Sequence, residues 1–584
     1  MEPTILTKQW EIAAPIPTEI QAKLSDHSPI MQQILYNRGV MDQISSAHYL
    51  NAQLPTGTDP FSMLGVPQAA DRVWWAITHQ EPVVIYGDYD ADGVTSTALL
   101  TLLLQSLGAN VRGYIPDRFE EGYGLNKKAL ESLYIDGIRL VISVDCGIRS
   151  LKETEYANDL GLDLIITDHH NPGLELPNAL AVINPKQPGE IYPSKDLAGV
   201  GIAYKLGQAL VQRLTQGNNS THRQFEAQLA EDFLDLVAIG TIADLTPLVG
   251  ENRALVHSGL IRMRRNPRQG LGALMRATGL NPQKISANDI GFGIGPRLNA
   301  AGRLESADKS LRLLLTQNRQ EAALLAQQLD DLNRTRQKIM GEIQSHAEKL
   351  ALEEDPDASL LFAVDSSFNQ GVVGLAASRL TEQYYRPAIV ANKGEAFSRG
   401  SCRSIPEFHI TEALDQCQDL LVRHGGHAAA AGFTVENDNL QELKRRLGTI
   451  ADLELSDQVL QPTIHADLEI PLSELTPDLL RDLDKLQPTG RGNPQSVFIS
   501  RNVQVNRCWT VGKDKSHLRL VLTNGYITFD AIAFRQGHWE RDLPANIDIA
   551  YNFELNEFNG RQNLQLNIKD IKPTNKSIHE PVFN

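Results

Sequence analysis

Four short runs between about residues 80 and 250 constrain the fold more than any other feature: PVVIYGD, RLVISVDCG, LDLIITDHH and ALAVINP. Each is apolar throughout rather than alternating, as strands covered on both faces are, and helical patterns separate them. The pattern predicts an α/β domain built on a parallel sheet wrapped by helices. Polar residues cluster where each run ends, and in open α/β sheets that carboxyl edge is where ligands bind.

Asp88, Asp90 and Asp92 follow the first run in YGDYDADG at every second position. On an extended segment residues i, i+2 and i+4 face one way, so the three carboxylates would converge beyond the strand end, between Gly87 and Gly93, which allow a tight turn. Carboxylates this close repel, and nothing basic sits among them, so the expected partner is a cation absent from the sequence. Alone, the stretch also reads as a solvated turn or a calcium loop. It is not alone. Asp145 ends the next run, Asp168, His169 and His170 end the one after, and Asp244 sits in the apolar LVAIGTIADLTP, where a carboxylate is costly to ionise without a cation or donor.

Mixed carboxylate and imidazole ligands suit Mn²⁺, with Mg²⁺ favoured as the set becomes all oxygen. The candidates exceed what one ion takes while keeping a site open, so a two-metal cluster with a bridging carboxylate is expected. Such a pair activates water, screens phosphate charge and steadies the leaving oxygen. Phosphoester or phosphoanhydride hydrolysis follows as the reaction class.

The 584 residues leave room for roughly three or four domains of about 150 residues. After an N-terminal segment (1–78) and the first α/β domain (79–304), a long helical stretch (305–352) carries Leu325, Leu329, Leu332, Ile339, Ile343 and Leu350 at spacings of four and three, interrupted at Arg336 and His346. It reads as a spacer helix packed along two domains rather than a dimerising coiled coil. A second α/β domain (353–454) follows, with strands near SLLFAVD and PAIVAN, a helix in GVVGLAASRLTEQ and the Gly-rich RHGGHAAAAGF. From 455 to 584 the pattern changes to alternating strands, SVFISRNVQV, HLRLVLT, YITFDAIAF, NIDIAYNFEL and NLQLNI, which suggest a small barrel of the oligonucleotide-binding (OB) kind or a β-sandwich.

No apolar run approaches the ~18 residues of a membrane helix, and MEPTILTKQWEIAAPIP lacks the plan of a signal peptide, so a cytoplasmic protein is expected. The four cysteines form no ligand-like spacing. A net charge of −16 argues against nonspecific adhesion to nucleic acid, so a polyanionic substrate must be met locally by metal or by arginines. RGSCRSI puts Arg399, Ser401, Arg403 and Ser404 in what reads as one short loop, with donors enough for a terminal phosphate. Arg118 in IPDRFEEGYG and Arg297, Asn299 and Arg303 in GPRLNAAGR are further candidates, whereas the basic run IRMRRNPR reads as a helix end. In GGHAAAAG the paired glycines would let backbone approach a phosphate, His427 can donate to a nonbridging oxygen, and the alanines read as the start of a helix pointing N–H groups at an anion; a tight helix packing site is the other reading.

YGDYDADG, SVDCG, TDHH and GTIADL resemble, in order and separation, the four motifs of the DHH phosphoesterases. GFGIGPRLNAAGRL, GVVGLAASRL, GSCRSI and GGHAAAAGF extend the resemblance to the RecJ family of single-strand-specific 5′→3′ DNA exonucleases, over nearly the whole chain and including the terminal barrel. LQPTGRGNP departs from that family in carrying Thr489 where a Phe is usual. The resemblance implies that Asp90, Asp92, Asp145, His169 and Asp244 ligate metal, with Asp145 bridging. Asp88 holds a less fixed place among the ligands, since related pyrophosphatases use a histidine nearby. It also implies that His170 contacts phosphate or orients the ligands, and that His427 reaches substrate from the second domain. Single-stranded DNA is then the substrate, DNA repair and recombination the setting, and a single-strand-binding protein or helicase a partner. Two alternatives keep the fold: the same chemistry on pyrophosphate, oligoribonucleotides or cyclic dinucleotides, and a non-catalytic scaffold. The N-terminal segment and barrel argue against the first, and the complete set of acidic and histidine residues argues against the second.

Overall fold

Val83–Gly87 (β1), Val111–Tyr114 (β2), Leu140–Val144 (β3), Asp163–Thr167 (β4) and Ala181–Ile183 (β5) form a wholly parallel sheet in the order β2-β1-β3-β4-β5. The continuous apolar runs are explained by burial on both faces: Val83 and Ile85 feed one core, Val84 and Tyr86 the other. Only β2 escapes the sequence pattern, because as an edge strand it is mostly half-buried. The strand order reverses at β1 and β3, so the loops after Gly87 and Val144 open at the topological switch point, where α/β sheets bind ligands. Ala91–Ser106 (α1), Gly199–Leu214 (α2) and Asn219–Ala243 (α3) pack there as well.

This computed structural model describes residues 6–118, 121–122, 124–214, 219–558 and 561–574. Residues 1–5 and 575–584 of the expected first and last segments, and Phe119, Glu120 and Tyr123 of IPDRFEEGYG, lie outside them. By contacts the chain falls into two units, one holding Leu54–Leu460 with Gly490–Gly492, the other the described parts of 5–53, 461–489 and 493–584. The N-terminal segment is therefore divided between the units rather than standing alone.

Helix Gly295–Leu304 (α4) leads to Asp308–Leu315 and then to the long Arg319–Glu354 (α5). The spacer starts at Arg319, not near Glu305, because the Asn318 side chain caps it, accepting from Gln320 and Glu321 N–H. Beyond it lies a second sheet of Leu361–Asp365 (β6), Ala388–Lys393 (β7), Phe397–Arg403 (β8), Leu421–His427 (β9) and Ala430–Glu436 (β10), ordered β9-β10-β8-β7-β6. Two expectations are corrected here. RGSCRSI is not a loop, since its first five residues complete strand β8, and GGHAAAAGF is a β-hairpin, not a helix start. Backbone pairing decides both: the alanine-rich strand pairs with β9 on one side and β8 on the other, so its peptide groups are already spent.

In the second unit Phe498–Val511 (β11), His517–Thr523 (β12), Thr528–Ala533 (β13), Asn546–Phe558 (β14) and Arg561–Pro573 (β15) form the ring β11-β12-β13-β15-β14, and β14 pairs back with β11. Closure makes this an OB-like barrel and removes the sandwich reading. Phe498, Leu520, Phe529, Tyr551 and Leu566 fill it, and Leu24, Met31, Ile34 and Leu35 from the N-terminal helices join the same core. Among the described residues no helix is long and apolar enough to cross a membrane.

Candidate metal centre and phosphate cavity

The aspartates of YGDYDADG do converge, but not by the strand pleat. Strand β1 stops at Gly87, and Asp90 caps α1, accepting from the N–H groups of Asp92 (2.9 Å) and Gly93 (3.1 Å). Aspartate is a favoured N-cap because its carboxylate takes up such orphan donors. Asp92 thus lies in the first helical turn, where its carboxylate accepts from Gly199 N–H (2.7 Å) and Val200 N–H (2.8 Å) at the start of α2. Gly199 is required there, since a Cβ would lie 2.8 Å from that of Asp145. Asp145 follows β3 with φ at 61°, a left-handed conformation that costs a non-glycine residue about 1–3 kcal/mol and marks functional sites.

His169, after β4, completes the cluster. Its Nε2 lies 3.1 Å from Asp145 Oδ1, 3.6 Å from Asp244 Oδ2 and 3.9 Å from Asp92 Oδ2. Asp244 comes from the residue after α3. Three sets of ligand atoms each fall within 4.8 Å: Asp88, Asp90 and Asp145; Asp145, His169 and His170; and Asp92, His169 and Asp244. Asp88 Oδ1, Asp145 Oδ1 and His169 Nε2 are buried without any hydrogen-bond partner, a costly state for polar atoms unless something outside the chain meets them.

The protonation states say the same. Burial, then the neighbouring carboxylates, raises Asp88, Asp92 and Asp145 well above the usual carboxylate range, and raises Asp244 to about 7. Burial and the neighbouring His170 lower His169 to about 3, leaving a neutral imidazole, the form that ligates metal. Five carboxylates with the neutral His169 imidazole make a donor set that fits Mn²⁺ or Mg²⁺.

His170 differs from its neighbour. Burial disfavours its charge, but the Asp168 hydrogen bond to Nδ1 (2.7 Å), with the charges of Asp168, Asp244 and Asp88, outweighs this and raises it to about 9. Asp168 is itself fixed by the N–H groups of Ile148 and His170, both at 3.0 Å. Sequence reasoning gave Asp168 no role. Its spacing of two from a histidine at a strand end was the available signal.

His170, Asp88 and Asp90 open onto a cavity of about 610 Å³. Arg118, Asn299 and Arg303 line it from the first domain, and Gln370, Arg399, Ser401 and Arg403 from the second. Strand alternation explains the last three, which sit at i, i+2 and i+4 on one face of β8. Arg118 packs over the Tyr89 ring at 4.8 Å. Burial, then Arg118 and Arg336 nearby, lowers Arg303 to about 10, and burial lowers Arg403. Asn299 also accepts from Ala91 N–H at 2.7 Å, tying α4 to the metal loop. Gln370, which accepts from Arg399 at 3.1 Å, and Tyr89 carried no sequence signal beyond their neighbours.

Three candidates lie elsewhere. Arg297 is paired with the buried Asp330 at 2.8 Å and donates to the Gly293 carbonyl, outside the cavity lining. Ser404 donates to the Phe408 carbonyl. His427 is exposed and also outside the lining, but the row Arg403↔Ala430↔His427 puts it on the Arg403 face of the sheet, about 10 Å away across two strand spacings.

This is the architecture of a DHH phosphoesterase. Residues 82–241 match the DHH family N-terminal domain, 357–451 the DHHA1 domain and 466–570 the RecJ OB domain. The chain belongs to the RecJ family: it is 39% identical over 568 residues to the single-stranded-DNA-specific exonuclease RecJ of Bacillus subtilis, covering 96% of this chain and 70% of that one. Crystal structures of Thermus thermophilus RecJ with Mn²⁺ and with Mg²⁺ superimpose with TM-scores of 0.82 and 0.76, at 30% and 28% identity, each over 97% of this chain and 80% and 79% of theirs.

Proposed function

We propose that this chain is a metal-dependent exonuclease that hydrolyses single-stranded DNA from the 5′ end, in DNA repair and recombination. The observation that carries the reading is one cavity wall of carboxylates and imidazoles facing another rich in arginines, with buried Asp88, Asp145 and His169 atoms that have no hydrogen-bond partner among the described residues.

Asp88, Asp90, Asp92, Asp145, His169 and Asp244 would hold two Mn²⁺ or Mg²⁺ ions, and Asp145 and His169, each common to two of the three ligand sets, are the residues on which those sets meet. When bound, the pair supplies a Lewis-acid field that lowers the pKa of water and screens the phosphodiester. His170, kept protonated by Asp168, spends its Nδ1–H on that carboxylate, and its Nε2–H is the donor offered to a phosphate oxygen or to the departing 3′ oxygen. Arg118, Arg303, Ser401 and Arg403, with Asn299 beside them, take the terminal 5′-phosphate, which would leave the next phosphodiester toward Asp88, Asp90 and His170 on the same cavity. His427, on the Arg403 face of the second sheet, donates to a nonbridging oxygen of the reacting phosphate from the second domain. The OB-like barrel is of a kind that binds single strands. A single-strand-binding protein or a helicase that exposes the strand is the class of partner this requires, and the cytoplasm is the place of action.

Digestion of end-labelled oligonucleotides tests it. Mononucleotides should appear from the 5′ end of single strands with Mn²⁺ or Mg²⁺, and none after chelation. Equal digestion of duplex, release from the 3′ end, or preference for RNA would overturn it.

A further inference from the structure

The helix that carries Asn299 and Arg303 begins with a π-helical turn, Ile290–Ile294, that runs directly into α4. Its contacts order it along the site. Arg303 lines the phosphate cavity, and Gly302 backs onto Tyr89, whose carbonyl oxygen would lie 2.4 Å from a Cβ there. Asn299 binds Ala91 beside Asp90 and Asp92. Gly295 then faces Ala243, and Gly291 faces Ile242 with 3.7 Å between a would-be Cβ and Cγ2. The helix therefore runs from the terminal-phosphate cavity, past the carboxylates, to the far side of Asp244. On the exonuclease reading, a strand with its 5′ end in the cavity and its next phosphodiester by the carboxylates would continue toward that end.

At that far end stands Phe292, 82% exposed. At 1.5 Å per residue it is about 10 Å along the axis from Asn299. Leu245, 64% exposed and in a left-handed conformation (φ 59°), stands beside the same residue, Ile242, to whose carbonyl its N–H donates at 3.2 Å. A ring this exposed contributes little to folding, and single π-turns are frequently found at functional sites. Two large apolar side chains displayed next to a cluster of carboxylates have nothing in the described chain to cover them, whereas an unpaired base offers an apolar face of matching size.

We propose that Phe292 is a stacking platform for a base just 3′ of the scissile phosphodiester, with Leu245 as its apolar neighbour, so that the strand is held straight through the metal centre. This rests on the exonuclease reading and adds a substrate-positioning residue to it. Because every base has a π-face, the platform is indifferent to sequence but not to the presence of a base.

The test compares Phe292→Ala, Phe292→Leu and Phe292→Trp with the unaltered chain on three substrates: a single strand, the same strand with abasic sites at its second to fourth positions, and methyl p-nitrophenyl phosphate, a phosphodiester that carries no base. Phe292→Ala should raise KM on the intact strand about tenfold to a hundredfold, with ester hydrolysis and melting temperature unchanged. Phe292→Trp should restore KM, and Phe292→Leu should not. The abasic strand should be as poor a substrate for the unaltered chain as the intact strand is for Phe292→Ala. No change in KM, a leucine as effective as tryptophan, or an equal further loss on the abasic strand would overturn the stacking role alone. Ester hydrolysis without strand digestion by the unaltered chain would overturn the exonuclease reading, and the platform with it.

Discussion

The carboxyl edge of the first sheet and the facing side of strand β8 are charged in opposite senses, and neither is neutralised by its own surroundings. The same domain shows how the chain behaves when a charge is structural. Lys205 meets Glu251 at 3.0 Å and Arg268 meets Asp235 at 2.9 Å, each pair buried or nearly so with both partners supplied. In contrast, Asp88 and Asp145 keep buried oxygens with no hydrogen-bond partner among the described residues, and Arg303 has three arginines, Arg118, Arg336 and Arg403, about it against the one carboxylate of Asp90. Charges left unpaired beside pairs so carefully made are kept for ligands: cations on one wall, phosphate on the other.

The sharpest way to break this contrast is at its negative end. Asp145→Ala should lower turnover by at least about a thousandfold, since the loss of several kcal/mol of charge stabilisation at the metals is expected. Strand binding, measured by fluorescence anisotropy, should persist, and Asp145→Asn controls for shape. Near-normal turnover at saturating Mn²⁺ would remove the two-metal assignment.

His427→Ala asks whether the second domain reaches the reacting phosphate. Turnover should fall roughly tenfold to a thousandfold, the range for losing one donor to developing phosphate charge, with bound Mn²⁺ unchanged by elemental analysis. Loss of the metal would place His427 among the ligands instead.

At the positive end, Arg403→Ala should slow digestion of 5′-phosphorylated strands about tenfold to a hundredfold, the worth of a hydrogen bond to a charged group, and spare 5′-hydroxyl strands. An equal loss on both, flattening with salt, would reduce Arg403 to general backbone attraction.

Arg297→Ala should separate structure from chemistry. The buried Asp330 loses one of its two arginines, since Arg334 also bonds it, at 2.7 Å. Stability should drop by about 1–3 kcal/mol in thermal unfolding, with turnover nearly unchanged. Lost turnover at an unchanged melting temperature would return Arg297 to the substrate site.

What the sequence disclosed follows from the same physics. Burial on both faces leaves β1, β3, β4 and β5 as continuous apolar runs, and the acidic and histidine residues that end them could be read directly. Half-buried VRGY at the edge could not. GGHAAAAGF misled because alanine favours helix by local propensity, a preference outweighed by strand pairing on both sides. The spacing of Asp88, Asp90 and Asp92 suggested a pleated strand, yet an N-cap and a helical turn bring them together. Arg297 looked like a phosphate ligand because its partner, Asp330, lies on another helix. The arginines of β8 were legible as donors, but the strand that aligns them was not.

Anomalous scattering from crystals grown with Mn²⁺ tests the central claim most directly. The account predicts two manganese peaks per chain, both within the Asp88, Asp90, Asp92, Asp145, His169 and Asp244 cluster, with the Asp145 carboxylate touching each. A single peak there, or peaks that leave Asp145 uncoordinated, would contradict it.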